Sequence, residues 1–249
     1  MSGHSKWSSI KHKKGAADAK RGKVFTLHAK LIALAARSGG DPSMNPSLRS
    51  AIDRAKGDNV PNANIDTAVK KGSGADKNAA AYEEITYEGF GPDGSVFMVD
   101  CITDNKNRTL TNVRTIWTKN GGNMGSAGTV AWKFDKKAFL LVDVAGTDAE
   151  EAELALMDSG ADDMAEVDGK FELYADPKQL TTVKNAVEAL GYKVEKDELI
   201  WKAKEDMKVT DVAVAKKIMK LMEMIDEDDD VSQISSNVDF DESILAELG

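Results

Sequence analysis

Through the first third of the chain apolar residues recur every three or four positions. Beyond residue 82 they mostly alternate with polar ones, apart from a few helical stretches. In residues 16–36, Val24, Leu27, Leu31 and Leu34 follow the helical spacing beside His28 and Ala35, and Gly39, Gly40 and Pro42 end the run. Asn45 before Pro46 reads as an N-cap with proline in the first turn, followed by Leu48, Ala51, Ile52 and Ala55. Pro61 and Asn62 open a third short helix through Ile65, Ala68 and Val69, closing at Gly72. Residues 71–81 read as a linker.

The period then changes. Residues 82–88 and 95–103 are expected as strands joined through Pro92-Asp93-Gly94, a turn in which proline sets one φ and glycine accepts a positive one. A helix from about Arg108, capped by Asn105 or Asn107, carries Leu110, Val113 and Trp117 and stops at Gly121-Gly122; residues 129–134 are expected as another strand. From residue 138 the order is strand, helix from Thr147 or Asp148, two strands at 164–167 and 170–174, a helix from Pro177 to Leu190, and a strand over 192–201. That β-α-β-β-α-β order is ferredoxin-like. A helix over 211–225, a strand over 231–238 and a short acidic tail helix with Leu245 and Leu248 complete the chain.

The hairpin and helix at 82–134 cannot cover both faces of a sheet alone. The expectation is therefore an α+β multidomain chain. It comprises a basic N-terminal three-helix bundle with an arm (1–80), a discontinuous α+β middle domain (81–134 with 207–249) and an inserted ferredoxin-like domain (135–206).

Composition agrees with several folded units: 249 residues, 41% of them hydrophobic, exceed one small module. One cysteine, Cys101, rules out an internal disulfide and any zinc site of several thiolates, and suits a reducing compartment. After Met1 no apolar run resembles a secretory signal. The apolar-rich stretch at 24–36 is broken by His28 and Lys30 and is shorter than the ~20 residues that span a bilayer, so a cytoplasmic setting is expected.

Charge changes the picture most. The net −9 divides after Lys71 into 14 basic and 5 acidic residues through Lys71 (+9) and 19 basic against 37 acidic beyond it (−18). A basic segment on an acidic body points to a polyanion partner or to a gradient without one. The arm carries Lys6, Lys11, Lys13 and Lys14, continued by Lys20, Arg21, Lys23 and Lys30, around Trp7 and His12. Lysines attract phosphate without reading sequence, and Trp7 either stacks on an exposed base or anchors the arm to the bundle. Lys23, Lys30 and Arg37 recur every seven residues on the flank of the apolar stripe.

Other motifs have the wrong context. Gly89-x-Gly91-x-x-Gly94 matches a dinucleotide fingerprint, but a strand follows where a helix is required. The run 121–128 holds four glycines without the Lys-Ser/Thr of a phosphate loop and reads as a helix-to-strand connection. Asp226, Asp228 and Asp230 imitate a calcium loop, but Val231 and Asn237 stand where it needs glycine and glutamate; a solvated acidic turn is expected. His4 and His12 lack partners at metal-ligand spacing, and Cys101 reads as an inert buried thiol. Neither a catalytic constellation nor a metal or cofactor site is expected, and hence no enzyme.

Several strings resemble the YebC/PmpR family. They are Gly3-His4-Ser5-Lys6-Trp7, Ile10 to Lys14, Asp18 to Lys23, Tyr82 to Pro92, Thr103 to Thr109, and Gly121-Gly122-Asn123. The resemblance runs nearly end to end and implies the same three domains. It implies a cytoplasmic, DNA-binding regulator of transcription, with nucleic acid as partner. The family is also related to mitochondrial translational activators, and the alternative it implies is a ribosome- or rRNA-binding translation factor that relieves stalling on proline-rich sequences. The segment Leu27-His28-Ala29 departs from the family, many members of which have another basic or polar residue there.

Overall fold

The computed structural model describes residues 17–75, 80–241, 243 and 244. The arm up to residue 16 and the tail positions Leu245 and Leu248 lie outside the described residues.

Three helices come first: α1 (Ala17–Ala36), α2 (Pro46–Gly57) and α3 (Asn62–Gly72). Asn45 caps α2 as expected, accepting from the Leu48 amide at 3.1 Å. The same side chain donates through Nδ2 to the carbonyls of Ala35 and Gly39, both at 2.8 Å, and so binds the end of α1 to the start of α2. Asn45→Ala removes a cap and leaves two carbonyls without this donor. The expected loss is about 2 kcal/mol in a denaturant titration.

The helical core is Ile32, Ala36, Leu48, Ile52, Ala55, Val60, Ile65 and Ala68, with Phe25 and Ala29 packed against it. On α1 the face buried in the bundle is thus Phe25, Ala29, Ile32 and Ala36, one step round from the stripe expected at Val24, Leu27, Leu31 and Leu34. Val24 is exposed. The helix is covered on two sides, so a single amphipathic stripe underestimates its buried surface. Gly72 allows α3 to press on α1: a Cβ there would lie 2.0 Å from the Ala33 carbonyl oxygen.

The central sheet has the order β3-β1-β2-β9, formed by β1 (Glu83–Phe90), β2 (Val96–Thr103), β3 (Asn123–Met124) and β9 (Val231–Ser236), all antiparallel. Its core combines β2 with α4 (Lys106–Lys119) and α7 (Val212–Asp226), through Phe97, Val99, Val113, Trp117, Ile218, Leu221 and Ile225 among others. Residues near the chain's end therefore complete a sheet begun at residue 83. Asn105 is the residue that caps α4. The strand expected at 231–238 breaks at Asn237. That side chain accepts the Val96 amide at 2.9 Å, and β10 (Val238–Phe240) pairs instead in parallel with β8 (Met207–Val209).

A second antiparallel sheet has the order β5-β6-β4-β7, from β4 (Phe134–Asp143), β5 (Asp163–Val167), β6 (Lys170–Ala175) and β7 (Lys193–Ala203). Helices α5 (Ala149–Met157) and α6 (Leu180–Ala189) connect its strands, and both contribute to a core with Ala138, Leu140, Val142, Phe171 and Leu173. Asp148 is the N-cap of α5.

One expected strand is absent. Residues 129–134 form a turn and a short 3-10 helix (Ala131–Lys133), and β4 begins only at Phe134. The amides of Val130 and Ala131 are bonded to the Glu88 carboxylate, both at 2.9 Å, which removes the donors a ladder would use.

Candidate nucleic-acid interface

The basic segment divides into three parts. Lys6, Trp7, Lys11, His12, Lys13 and Lys14 lie outside the described residues. Lys20 sits in the first turn of α1, and Arg21 beside it is exposed. The remaining two expected contacts turn inward. The Lys23 ammonium is 3.6 Å from Asp226. Lys30 is only 5% exposed and donates to Asp230 Oδ1 at 2.7 Å and to the Asp229 carbonyl at 2.6 Å. An ammonium buried in these bonds does not reach a phosphate, so Lys30 leaves the set of surface cations expected from the sequence.

The heptad strip on α1 is therefore a seam. Arg37, its third member, donates to the Tyr82 carbonyl at 2.9 Å. Elsewhere along this boundary Lys71 lies 3.9 Å over the Tyr82 ring and 3.7 Å from Asp104, and Arg54 pairs with Asp197. Five basic side chains of the helical segment are thus spent on the α+β part of the same molecule. His28 is also internal, with Nε2 2.6 Å from Asp58.

Asp230 is the centre of this seam. It is buried, and besides Lys30 it accepts from Arg108 at 2.7 Å, Thr109 at 2.7 Å and Thr103 at 3.2 Å. Burial pushes its carboxyl up, but hydrogen bonds from Lys30, Arg108 and Thr109 and the Lys30 charge outweigh that and hold it down at about 2. The acidic turn expected to be solvated contains a buried carboxylate that joins α1, β2 and α4. A visible signal existed: a seven-residue basic repeat and an acidic run are complementary patterns in one chain.

The glycine-rich loop is also explained. Backbone amides of Gly128, Val130 and Ala131 converge on the Glu88 carboxylate at 2.7, 2.9 and 2.9 Å. Burial raises the Glu88 carboxyl, and the three amides outweigh it, so the group stays below its ordinary range. The amides a phosphate cradle would need are occupied by an anion of the protein itself. Gly122 lies against Trp117, where a Cβ would be 2.2 Å from the indole, and Trp117 donates to the Phe90 carbonyl at 2.9 Å. Cys101 is buried, and burial pushes its thiol far up, away from thiolate chemistry.

Residues 5–75 match the model described as the TACO1/YebC protein N-terminal domain, and residues 82–238 match that of the TACO1/YebC second and third domain. The chain belongs to the TACO1/YebC family. It is 45% identical to a protein of Desulfotalea psychrophila across 100% of this chain and 99% of that one. It is 46% identical to a protein of Citrifermentans bemidjiense across the whole of both. Each of those relatives is named a probable transcriptional regulatory protein. The crystal structure of a conserved hypothetical protein from Aquifex aeolicus is similar to this chain with a TM-score of 0.86. It is 39% identical, over 95% of this chain and 97% of that one. Among the described residues no helix is long and apolar enough to cross a membrane, and no three His, Cys, Asp or Glu side chains group to hold a metal ion.

Proposed function

We propose that this chain is a non-enzymatic, cytoplasmic regulator of transcription that binds duplex DNA through its basic N-terminal segment. The observation that carries the reading is the charge division at Lys71, +9 against −18, in a chain whose relatives are named transcriptional regulatory proteins. The acidic remainder repels the same phosphates, which restricts approach to one end of the molecule. Three separate apolar clusters support the division into a helical bundle (1–80), a discontinuous α+β domain (81–134 with 207–249) and an inserted ferredoxin-like domain (135–206).

With Lys30 in the seam and Lys23 beside Asp226, the cations assigned to phosphate are Lys6, Lys11, Lys13, Lys14, Lys20 and Arg21. If all six act, log affinity for duplex DNA falls against log salt with a slope of about −5. Changing Lys11, Lys13 and Lys14 together to alanine reduces that slope by about 3, whereas Lys30→Ala leaves it unchanged and destabilises the fold. Titration of a promoter-length duplex at several salt concentrations measures both. A slope near zero, or undiminished binding by the triple variant, refutes the proposal. Preferential binding of ribosomal RNA at equal salt would instead move the target to the ribosome.

A further inference from the structure

Trp132 is 66% exposed and belongs to no apolar cluster among the described residues. Its neighbours Val130 and Phe134 are buried, so the local chain is packed while this one ring stands out. Its backbone is held from beneath. The Glu88 carboxylate takes three amides within the four residues before it, and the indole donates to the Thr129 carbonyl at 3.2 Å. A ring presented on a fixed support loses little freedom when something stacks on it.

One cation borders the ring, and a second lies at the start of β4. The Lys133 ammonium lies 5.2 Å from the Trp132 centroid. The Lys204 amide donates to the Lys133 carbonyl at 2.9 Å, which sets the end of β7 beside the start of β4. There Lys136 stands opposite Trp201 in register, with its ammonium 5.2 Å from that ring. Among the described residues neither Lys133 nor Lys136 makes an ion pair; both lie over aromatic rings. Each of these two lysines thus lies against a tryptophan, on the part of the chain that is otherwise strongly acidic; Trp201 is partly buried and its indole donates to Asp100 at 3.3 Å, so Trp132 is the open ring of the two.

We propose that Trp132, with Lys133 and Lys136, forms a stacking site for an unpaired base of single-stranded nucleic acid. An exposed indole offers a face to any base, and the lysines meet the flanking phosphates. In a duplex the bases are already stacked on one another, so the site selects unpaired strands. The inference deepens the nucleic-acid-binding reading and rests on it.

The test uses the full chain, with fluorescence anisotropy of labelled oligouridylate, oligothymidylate and a DNA duplex. Trp132→Ala is expected to weaken oligouridylate binding about tenfold, the effect of losing one base stack, and to leave duplex binding unchanged. Trp132→Phe keeps a ring and retains most of the affinity. Lys133→Ala with Lys136→Ala lowers the single-strand salt slope by about 1.4. The two single-stranded probes show whether the site distinguishes RNA from DNA. Equal oligouridylate affinity in wild type and Trp132→Ala overturns this site while leaving the N-terminal reading intact if duplex binding keeps its salt slope. Equal losses on duplex and single strand also overturn it, since they mark a structural role. A wild-type chain that binds none of the probes overturns both readings.

Discussion

Replacing Asp230 with asparagine is expected to lower the unfolding free energy by about 3–5 kcal/mol, the usual cost of breaking a buried ion pair from one side. The carboxylate receives two cations and two hydroxyls from different parts of the chain. Asparagine keeps one acceptor oxygen but turns an amide donor toward groups that are themselves donors. Lys30 then remains buried without its counter-charge. Lys30→Met costs less, because Asp230 still accepts from Arg108, Thr109 and Thr103. Urea titrations of the three proteins measure the order, and a variant as stable as wild type would show that the seam contributes nothing. Because Asp230 joins α1 to β2 and α4, Asp230→Asn should also make the helical segment melt separately, ahead of the sheets.

Acid should reproduce part of this loss in the wild-type protein. The folded Asp230 carboxyl is held at about 2, below its ordinary value of 3.8. A group with a depressed folded pKa binds fewer protons folded than unfolded, so its contribution is complete above about pH 4. It is lost as pH falls from there through about 2, and amounts to about 2 kcal/mol. The pH dependence of stability in this window is therefore shallower in Asp230→Asn.

The second large effect is at Glu88. Glu88→Ala leaves the amides of Gly128, Val130 and Ala131 without their acceptor and is expected to cost about 3 kcal/mol, less where water reaches the loop. Hydrogen exchange gives a sharper reading, since those three amides should lose protection while those of α6 do not. Glu88→Gln keeps one accepting oxygen and should lie between the two. The Glu88 carboxyl is also held below its ordinary value of 4.5, so its support of the loop is present above that pH and fades as pH falls below it. Unchanged exchange at Val130 in Glu88→Ala would contradict this account.

The order of elements was legible in the sequence because it depends on local signals. Asn45-Pro46, Pro92-Asp93-Gly94, Asp148 and Asp211 each act within a few residues, and each lies at the boundary where the structure has it. The return of residues 207–249 to the middle sheet was expected, but the partners of individual side chains across that distance were not legible. Nothing near residue 130 indicates that its amides belong to Glu88, so alternation suggested a strand. Lys30 shows the same limit at the candidate site, since a lysine beside an apolar stripe looks the same whether it faces phosphate or a buried aspartate 200 residues away. Trp132 was overlooked because a tryptophan inside an expected strand gives no sign of its exposure.

The place of β9 in the central sheet has a consequence for how the chain is made. The strand flanking β2 is residues 231–236, and much of the shared core comes from α7. Synthesis runs from the N-terminus, so the helical segment and the second sheet, complete by residue 203, emerge from the ribosome with their own apolar cores complete, although Lys23 and Lys30 still lack Asp226 and Asp230. The hairpin of β1 and β2 emerges earlier than the second sheet and waits, with one edge and its apolar face open until residues 212–236 have been added. A nascent chain released shortly before residue 231 would hold two finished units and an unfinished one between them, which makes that hairpin the place where a chaperone has most to shield.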